Sequence, residues 1–522
     1  AHYCHFDDRT IDARYLRVGA AFPLAEREMI HREYHSALAR RLAPSVARRQ
    51  IAEILGRPVA ARDFIAVPHH MAHAAGAYHS AGFDDALIVT LDGYGEAESG
   101  LWSFGLDGDI VRGGETQLPT SLGTLYQIVT SYLGFASFGD EYKVMGLSGY
   151  GDPRQFAPVF ESLLTLGEGG TYSTAAMARA DLHDWLVDAL GAVEEPGEYS
   201  KRSADIAAAL QRRLEEAAFH HLSYLRRETR LDRLCLSGGV ALNARMNGSI
   251  VRSGLFRQVF VQPAAADDGT ALGAALHVHR TVGRGAVAEP IGHVFWGPAY
   301  GPSEIERALR AEPRVRWERC EDVAARVASL LADGHIVGWF QGRMGMGPRA
   351  LGARSIVANP TSVAVRDRLN AMVKGRETFR PFAPSVLADG ADDYFEMPDD
   401  RTAAPYMLVT YAARETARGR IPGVVHADGS SRVQIVGAAP GESGAASGEG
   451  VEPARYRRLL RAFHERTGIP IVLNTSFNRA GEPIVCDPTD AVRCFLASGL
   501  DALAIGDFLV TAGAPGARGG VA

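Results

Sequence analysis

Three histidines within five residues, in Val67-Pro68-His69-His70-Met71-Ala72-His73, constrain this chain more than any other stretch. Pro68 suits the entry to a helix, and Met71-Ala72-His73-Ala74-Ala75 continues with helix-forming residues. His69 and His73, four apart, then project from one face and can share a metal ion. An HxxxH pair alone is as readily a set of polar contacts at a helix end, so the weight falls on two strands further along the chain. The apolar strand Ala86-Leu87-Ile88-Val89-Thr90-Leu91 ends in Asp92-Gly93-Tyr94-Gly95-Glu96. Much later the strand Gln258-Val259-Phe260-Val261-Gln262 leads through Pro263 to Asp267-Asp268-Gly269-Thr270 and a small-residue helix, Ala271-Leu272-Gly273-Ala274-Ala275. Carboxylates at the carboxyl ends of strands sit where open α/β sheets bind their ligands. Two imidazoles and two carboxylates make a mixed N/O set suited to a divalent transition metal, with His69, His73, Asp92 and Asp267 as the candidate ligands.

Further strand-to-helix turns point to a nucleotide. The clearest helix of the chain runs from Ser203 to Thr229, with Ile206, Leu210, Leu214, Ala217, Leu222 and Leu225 near helical spacing, and its apolar face reads as core packing. The strand Leu234-Cys235-Leu236 follows it and turns through Ser237-Gly238-Gly239 toward Asn243. Glycines at such a turn let backbone N–H groups approach phosphate oxygens, and the next helix adds its amino-terminal dipole. Gly238, Gly239, Asp268 and Gly269 are the candidate nucleotide contacts, since their turns, with Asp92-Gly93, can converge on one ligand. Between these motifs Phe138-Gly139-Asp140-Glu141-Tyr142-Lys143-Val144-Met145-Gly146-Leu147 mixes glycines, charges and apolar residues in a loop-to-helix setting. A glycine-bounded turn with a surface Lys143 is the plainer reading of that stretch. Upstream, an amphipathic segment from Leu24 to Leu42 and a helical run from Ser45 to Leu55 carry no motif.

Residues 280–303 are rich in Gly and Pro and read as the passage between two domains, 1–300 and 301–522. A helix–strand unit comes next: Val323, Val327, Leu330 and Leu331 share a face, and His335-Ile336-Val337-Gly338-Trp339-Phe340 is a buried strand. From Arg343 to Arg380 stand eight basic residues, Arg343, Arg349, Arg354, Arg366, Arg368, Lys374, Arg376 and Arg380, against the acidic Asp367 and Glu377. The net charge of the whole chain is −6, so this local excess of positive charge is informative. Arginines set among rigid and aromatic residues, as in Gly347-Pro348-Arg349 and Phe379-Arg380-Pro381-Phe382, suit bidentate binding of phosphate or carboxylate. Gly437–Gly450 reads as a mobile surface loop and Tyr456–Thr467 as a basic helix. The strand Pro470-Ile471-Val472-Leu473 then leads into Asn474-Thr475-Ser476-Phe477-Asn478, whose amides and hydroxyls suit phosphate or carbonyl oxygens, and Ala502-Leu503-Ala504-Ile505 is a closing strand.

No apolar run approaches membrane-spanning length, and the acidic balance argues against a general nucleic-acid surface, so neither a membrane nor a nucleic acid is an expected partner. Cys4, Cys235, Cys320, Cys486 and Cys494 are odd in number and scattered, which suits a reducing, cytoplasmic setting.

Taken together, VPHHMAHA, LDGYGE, FGDEYKVMGL, LSGGVALN, GPRALGARSIVA, NAMVKGRETFRPFAP and LNTSFN, in this order over about residues 67–510, resemble the O-carbamoyltransferases of nodulation-factor and antibiotic tailoring. The resemblance implies an α/β chain in which an actin-like ATPase/sugar-kinase-type domain, similar to threonylcarbamoyl-transfer domains, precedes one similar to threonylcarbamoyl-adenylate synthases. It implies that the second domain makes carbamoyl-adenylate from ATP and carbamoyl phosphate, and that the first transfers the carbamoyl group to a hydroxyl of a small-molecule alcohol such as an antibiotic. By resemblance, His69, His73, Asp92 and Asp267 match Fe(2+) ligands, with another divalent transition metal as the alternative, and Mg(2+) accompanies ATP. Gly238, Gly239 and Asn243 match the nucleotide turn, and Arg349, Lys374, Arg380, Arg432, Asn474 and Ser476 the carbamoyl phosphate and ATP site. The family's amino-terminal segment, with a His-Asp-Ser-like motif and a histidine thought to act as base, has no counterpart before Ala1. Several tens of residues are therefore expected ahead of Ala1 in the natural protein. With that base missing, His70, Asp140 and Lys143 are the candidate catalytic groups. A homodimer is the assembly left open. A tRNA threonylcarbamoyl-type modifying enzyme and a small-molecule kinase are the competing functions; the first needs a nucleic-acid face, and the second gives HxxxH no role.

Overall fold

The computed structural model describes residues 44–136, 139–193, 199–286, 289–374, 379–437 and 451–513, and it divides into two units, Ala1–Ile291 and Gly292–Ala522. The division falls inside the Gly/Pro-rich passage.

The first unit is built on a five-stranded sheet. Strands β1 (Asp85–Leu91), β2 (Glu98–Leu106), β3 (Asp109–Gln117), β4 (Arg233–Ser237) and β5 (Gln258–Val261) lie in the order β3-β2-β1-β4-β5. Six successive buried residues, Ala86–Leu91, make β1 the central strand, covered on both faces. It pairs antiparallel with β2 and parallel with β4, and β4 pairs parallel with β5. The parallel β1, β4 and β5 therefore end at one edge of the sheet, where Asp92, Gly238 and Asp267 follow them. Helix α1 (Pro44–Leu55) matches the expected run at Ser45, while the segment Leu24–Leu42 lies outside the described residues. Helix α2 (His69–Ala81) packs on β1, β2 and β4 and against α7 (Thr270–Thr281). The 29-residue α5 (Lys201–Thr229) gathers α3 (Leu122–Tyr132), α4 (Glu141–Leu147) and α6 (Ala244–Ser253) along its length. Ser200 starts it by accepting the Ser203 N–H, and Arg230 ends it at φ 60°.

The second unit holds an eight-stranded mixed sheet. Its strands are β6 (Val315–Arg319), β7 (Val337–Phe340), β8 (Arg354–Ala358), β9 (Ala383–Leu387), β12 (Gln434–Val436), β13 (Ile471–Ser476), β14 (Ala502–Ile505) and β15 (Phe508–Ala512), in the order β12-β9-β13-β8-β7-β14-β15-β6. Strands β10 (Thr410–Ala412) and β11 (Ser430–Arg432) form a separate antiparallel pair. Helices α9 (Val323–Ala332) and α10 (Val451–Thr467) pack together, while α8 (Pro302–Arg310) packs against α11 (Pro488–Ser498). Two sequence expectations shift here. Asn474, Thr475 and Ser476, read as following a strand, lie within β13, because Ala383 of β9 and Val357 of β8 pair with Asn474 on either side. Ala502–Ile505 is followed by β15, which pairs back on it. The loop expected over Gly437–Gly450 falls almost wholly outside the described residues. Both units are α/β, as the sequence led one to expect. Among the described residues no helix is long and apolar enough to cross a membrane.

Candidate metal centre and anion-binding segments

Helix α2 begins at His69, and its N-cap, Pro68, has no side-chain hydrogen bond to offer the first turn. Glu96 supplies one from outside: its carboxylate accepts the His69 N–H at 3.0 and 3.2 Å, placing negative charge at the positive end of the helix. The same contact ties the loop after β1 to the helix carrying the histidines. Gly95 allows that approach, since a Cβ there would lie 2.9 Å from both the His69 and His70 rings.

Four donor atoms converge as a result. His69, His73, Asp92 and Asp267 each offer one ligand atom, and all four lie within 4.8 Å of one another. Asp92 Oδ2 stands 3.0 Å from His69 Nε2 and 3.3 Å from His73 Nε2, while Asp267 Oδ1 stands 3.6 and 3.5 Å from the same two nitrogens. The two Nε2 atoms are 3.1 Å apart. For metal–ligand bonds of roughly 2.1 Å, neighbouring donors should be separated by roughly 3.0 Å in an octahedron and 3.4 Å in a tetrahedron, so these spacings fit one ion. Behind the donors stand fixed partners. Asp92 Oδ1, turned away from the histidines, accepts N–H groups from Gly93 at 2.8 Å and Gly239 at 3.0 Å. His73 Nδ1 faces Ser237 Oγ at 3.2 Å, and that hydroxyl in turn reaches the Ala265 carbonyl. A ring nitrogen held this way leaves Nε2 free to ligate.

The electrostatics suit a cation. Burial works to raise the pKa of Asp92, but hydrogen bonds from His69 and His73 outweigh it and hold the carboxyl well below its ordinary range. Burial lowers the pKa of His73 in spite of Asp92, favouring the neutral imidazole that a metal needs. Asp267 is pushed up to about 6 by burial and then by the charge of Asp268. Two carboxylates and two imidazoles facing one point repel in the absence of a cation or protons, and a divalent ion removes that repulsion.

Asp267 reaches the histidines because two glycines let α2 and α7 nearly touch. A Cβ on Gly273 would fall 1.8 Å from the Ala72 carbonyl oxygen, and one on Gly76 would lie 3.4 Å from the Gly273 Cα. Gln262 adds hydrogen bonds from its amide to the Gly76 carbonyl and to Ser80 Oγ. The signal available in the sequence was a glycine in the middle of each helix, a choice that costs about 1 kcal/mol against alanine unless close packing requires it.

The remaining expected residues of this unit fall into different places. Gly239 serves Asp92 through its N–H, and Gly238 holds φ 89° at a turn where a Cβ would meet the Leu91 carbonyl oxygen at 2.3 Å. Gly269 is excluded from bearing a side chain by the Ala264 carbonyl, and Asp268 has its pKa raised by burial. Asn243 is the N-cap of α6: its Oδ1 accepts the Met246 N–H and the Gln211 amide at 3.0 Å each, and its Nδ2 donates to Gln211 Oε1 at 2.8 Å. His70 turns both nitrogens toward the sheet, Nδ1 to Thr90 Oγ1 at 3.0 Å and Nε2 to the Glu98 carbonyl at 3.1 Å. Burial, then its neighbour His69, lowers its pKa to about 3. Lys143 and Asp140 form an ion pair at 2.9 Å beside Phe135, which stacks on Tyr199.

In the second unit the basic run separates by partner. Arg354 is 1% exposed, lies 3.7 Å from the Phe340 ring centroid, and donates to the carbonyls of Gln341, Ala353, Pro298 and Gly342 at 3.0–3.2 Å. Arg368 grips Asp501 through two bonds of 2.9 and 2.6 Å, and Arg366 pairs with Asp367. Arg354 and Arg368 thus have partners within the fold, and Arg366 pairs with its exposed neighbour in sequence. Arg349 and Arg380 are half-buried, and Arg432 stands at the end of β11 with Nη1 3.5 Å from the Met407 carbonyl. Ser476 Oγ donates to Asn478 Oδ1 at 2.7 Å, while Asn474 Nδ2 donates to Ser385 Oγ and Gln434 Oε1 inside the sheet. The Lys374 side chain lies outside the described residues, as does Arg376.

Comparison with known proteins adds the family. The model named Carbamoyltransferase N-terminus matches residues 8–276 and the one named Carbamoyltransferase C-terminus matches residues 328–512. The chain is 41% identical over 446 residues to nodulation protein NolNO of Sinorhizobium fredii, covering 85% of this chain and 63% of that protein, less than two thirds of its length. It is 41% identical over 447 residues to nodulation protein NolO of Bradyrhizobium diazoefficiens, covering 85% of this chain and 78% of that one. A 3'-hydroxymethylcephem-O-carbamoyltransferase of Streptomyces clavuligerus is 32% identical over 358 residues, 68% of this chain and 61% of the other. With both family regions present in order and the histidine–aspartate cluster within the first, this chain belongs to the carbamoyltransferase family.

Proposed function

We propose that this carbamoyltransferase is an ATP-dependent O-carbamoyltransferase: its second unit makes carbamoyl-adenylate, and its first passes the carbamoyl group to a hydroxyl of a small-molecule secondary metabolite. The observation that carries the reading is the convergence of His69, His73, Asp92 and Asp267 at the carboxyl edge of the first sheet. Kinase chemistry gives that donor set no task. The likeness to the 3'-hydroxymethylcephem-O-carbamoyltransferase of Streptomyces clavuligerus supports hydroxyl carbamoylation as the reaction class.

The donor set fits Fe(2+) or another divalent transition ion, which supplies Lewis-acid stabilisation for charge on a carbamoyl or phosphate oxygen. His69, His73, Asp92 and Asp267 would hold the ion. Gly93 and Gly239 orient Asp92, and Ser237 orients His73. In the second unit Arg349, Lys374, Arg380, Arg432 and Ser476 would hold ATP, with its Mg(2+), and carbamoyl phosphate. Water splits carbamoyl phosphate into carbamate and inorganic phosphate, and a carbamate oxygen then attacks the α-phosphate of ATP, forming carbamoyl-adenylate and expelling pyrophosphate. Attack by the alcohol then forms the carbamate ester, releases AMP and sheds the hydroxyl proton to a base. The adenylate is a mixed anhydride that water destroys, so transfer must be shielded from solvent.

The test is product analysis. With ATP and carbamoyl phosphate the chain should release pyrophosphate, and the release should need carbamoyl phosphate. ADP as the product would place the chain with the kinases and sink the reading. A mass-spectrometric screen of polyol, aminoglycoside and macrolide alcohols identifies the acceptor.

A further inference from the structure

One buried hydrogen-bond network runs beneath the segments that carry Arg349, Arg432 and Ser476. Tyr456 on α10 is 1% exposed, and its hydroxyl donates to Ser385 Oγ on β9 at 2.9 Å. Ser385 Oγ donates to Gln434 Oε1 at 2.6 Å. Asn474 Nδ2 donates to Ser385 Oγ at 2.9 Å and to Gln434 Oε1 at 3.1 Å. Gln434 Nε2 donates to the Leu351 carbonyl at 3.1 Å. Leu351 follows Arg349 by two residues, Gln434 follows Arg432 by two, and Asn474 precedes Ser476 by two on the same face of β13. The network therefore touches all three segments just behind the side chains proposed to meet the anions.

The Leu351 end is strained. Leu351 has φ 50° and Gly352 φ 88°, two left-handed residues in succession. For a leucine this conformation is unfavourable and persists only where the surroundings over-determine it. Here they do. Gln434 holds the Leu351 carbonyl, Ser355 Oγ accepts the Gly352 N–H at 3.0 Å, and Trp339 Nε1 donates to the Gly352 carbonyl at 2.8 Å. The Tyr456 ring closes over Gly352, where a Cβ would come within 2.3 Å of it. A polar network in a dry sheet is costly unless every member is satisfied, and it then fixes one arrangement.

We propose that Tyr456 and Gln434 are positioning residues, which with Ser385 and Asn474 hold the Leu351–Gly352 turn and so aim Arg349 at the anionic substrates of the second unit. The proposal rests on the adenylate-forming reading of that unit. It also gives Asn474 a task, since its amide nitrogen is engaged within the sheet.

Gln434→Glu keeps the Oε1 acceptor and, when ionised, turns a second oxygen instead of a donor toward the Leu351 carbonyl; Tyr456→Phe removes one hydroxyl and adds no charge. The measurements on the full chain are KM and kcat for carbamoyl phosphate in pyrophosphate release, and amide hydrogen exchange over residues 347–353. Gln434→Glu should raise KM about tenfold, the effect of losing one hydrogen bond that orients a charged contact, with kcat within about twofold. Exchange at Gly352 and Ala353 should quicken by about tenfold or more. Tyr456→Phe should move both in the same direction by less. In an Arg349→Ala background, Gln434→Glu should add nothing further to KM. Unchanged exchange and KM with a lowered melting temperature would make the network merely structural and overturn the proposal. Absence of carbamoyl phosphate-dependent pyrophosphate release by the unaltered chain overturns the adenylate reading instead, and with it the assignment of Arg349.

Discussion

Replacing Gly273 by alanine tests whether the helix contact builds the proposed metal site. The new Cβ would sit 1.8 Å from the Ala72 carbonyl oxygen, against an ordinary contact of 3.4 Å, so α7 must withdraw from α2 by about 1.6 Å or tilt to the same effect. Asp267 stands at the head of α7 and its Oδ1 is 3.5–3.6 Å from the two imidazole nitrogens. Moved outward, it would stand about 5 Å away, farther than the roughly 4.2 Å that two opposed metal–ligand bonds can span. Fe(2+) affinity should fall by about 100-fold, as for loss of a ligand's placement, and stability by about 1–3 kcal/mol for the overpacking. Metal content after dialysis, a chelator competition for Kd and a circular dichroism melt separate the two effects. Ala275→Ser, on the exposed side of the same helix, is the control and should retain metal. Gly273→Ala holding Fe(2+) as tightly as the unaltered chain would refute the argument that this contact sets the ligand geometry.

His69→Ala and Asp267→Ala should abolish carbamoyl transfer while leaving carbamoyl phosphate-dependent pyrophosphate release largely intact, and Lys374→Ala and Arg380→Ala should do the reverse yet still transfer from supplied carbamoyl-adenylate; a shared defect in both assays would dissolve the division of labour. Arg354→Met strands several buried carbonyls and should cost about 3 kcal/mol or more, whereas the exposed Arg343→Ala should stay within about 0.5 kcal/mol, so equal urea midpoints for the two would contradict the assignment of Arg354 to structure. Burial, with His277 next, depresses His79 from 6.5 to about 4, so the unfolded chain binds that proton better; this stability is complete above pH 6.5 and is lost as pH falls toward about 4. His79→Gln should flatten urea midpoints across that window, and an unaltered pH profile would remove His79 as the cause.

The sequence by itself determined what depends on neighbours in the chain. Helical spacing put His69 and His73 on one face, apolar runs set β1, β4 and β5, and the residues after those strands were legible as ligand-bearing turns because parallel strands end at one edge. The two-unit α/β organisation followed from the same patterns. Tertiary structure decided which groups meet. Asp92 and Asp267 join one cluster because β5 lies beyond β4 from β1 and because Gly76 and Gly273 let two helices approach, and neither distance is written in local spacing. The basic run looked uniform in sequence, yet Arg368 found Asp501 and Arg354 found the carbonyls of Pro298 and Cys486, all far away along the chain. The amide of Asn243 is held by Gln211, on a helix well upstream, a partner that local spacing does not reveal. Tyr456, Ser385 and Gln434 carried no motif, since their only signal is a shared position across two strands and a helix. A charge or an amide states its chemistry in the sequence, but its partner is fixed by strand order and helix packing, and the partner decides whether the group is structural or left to bind.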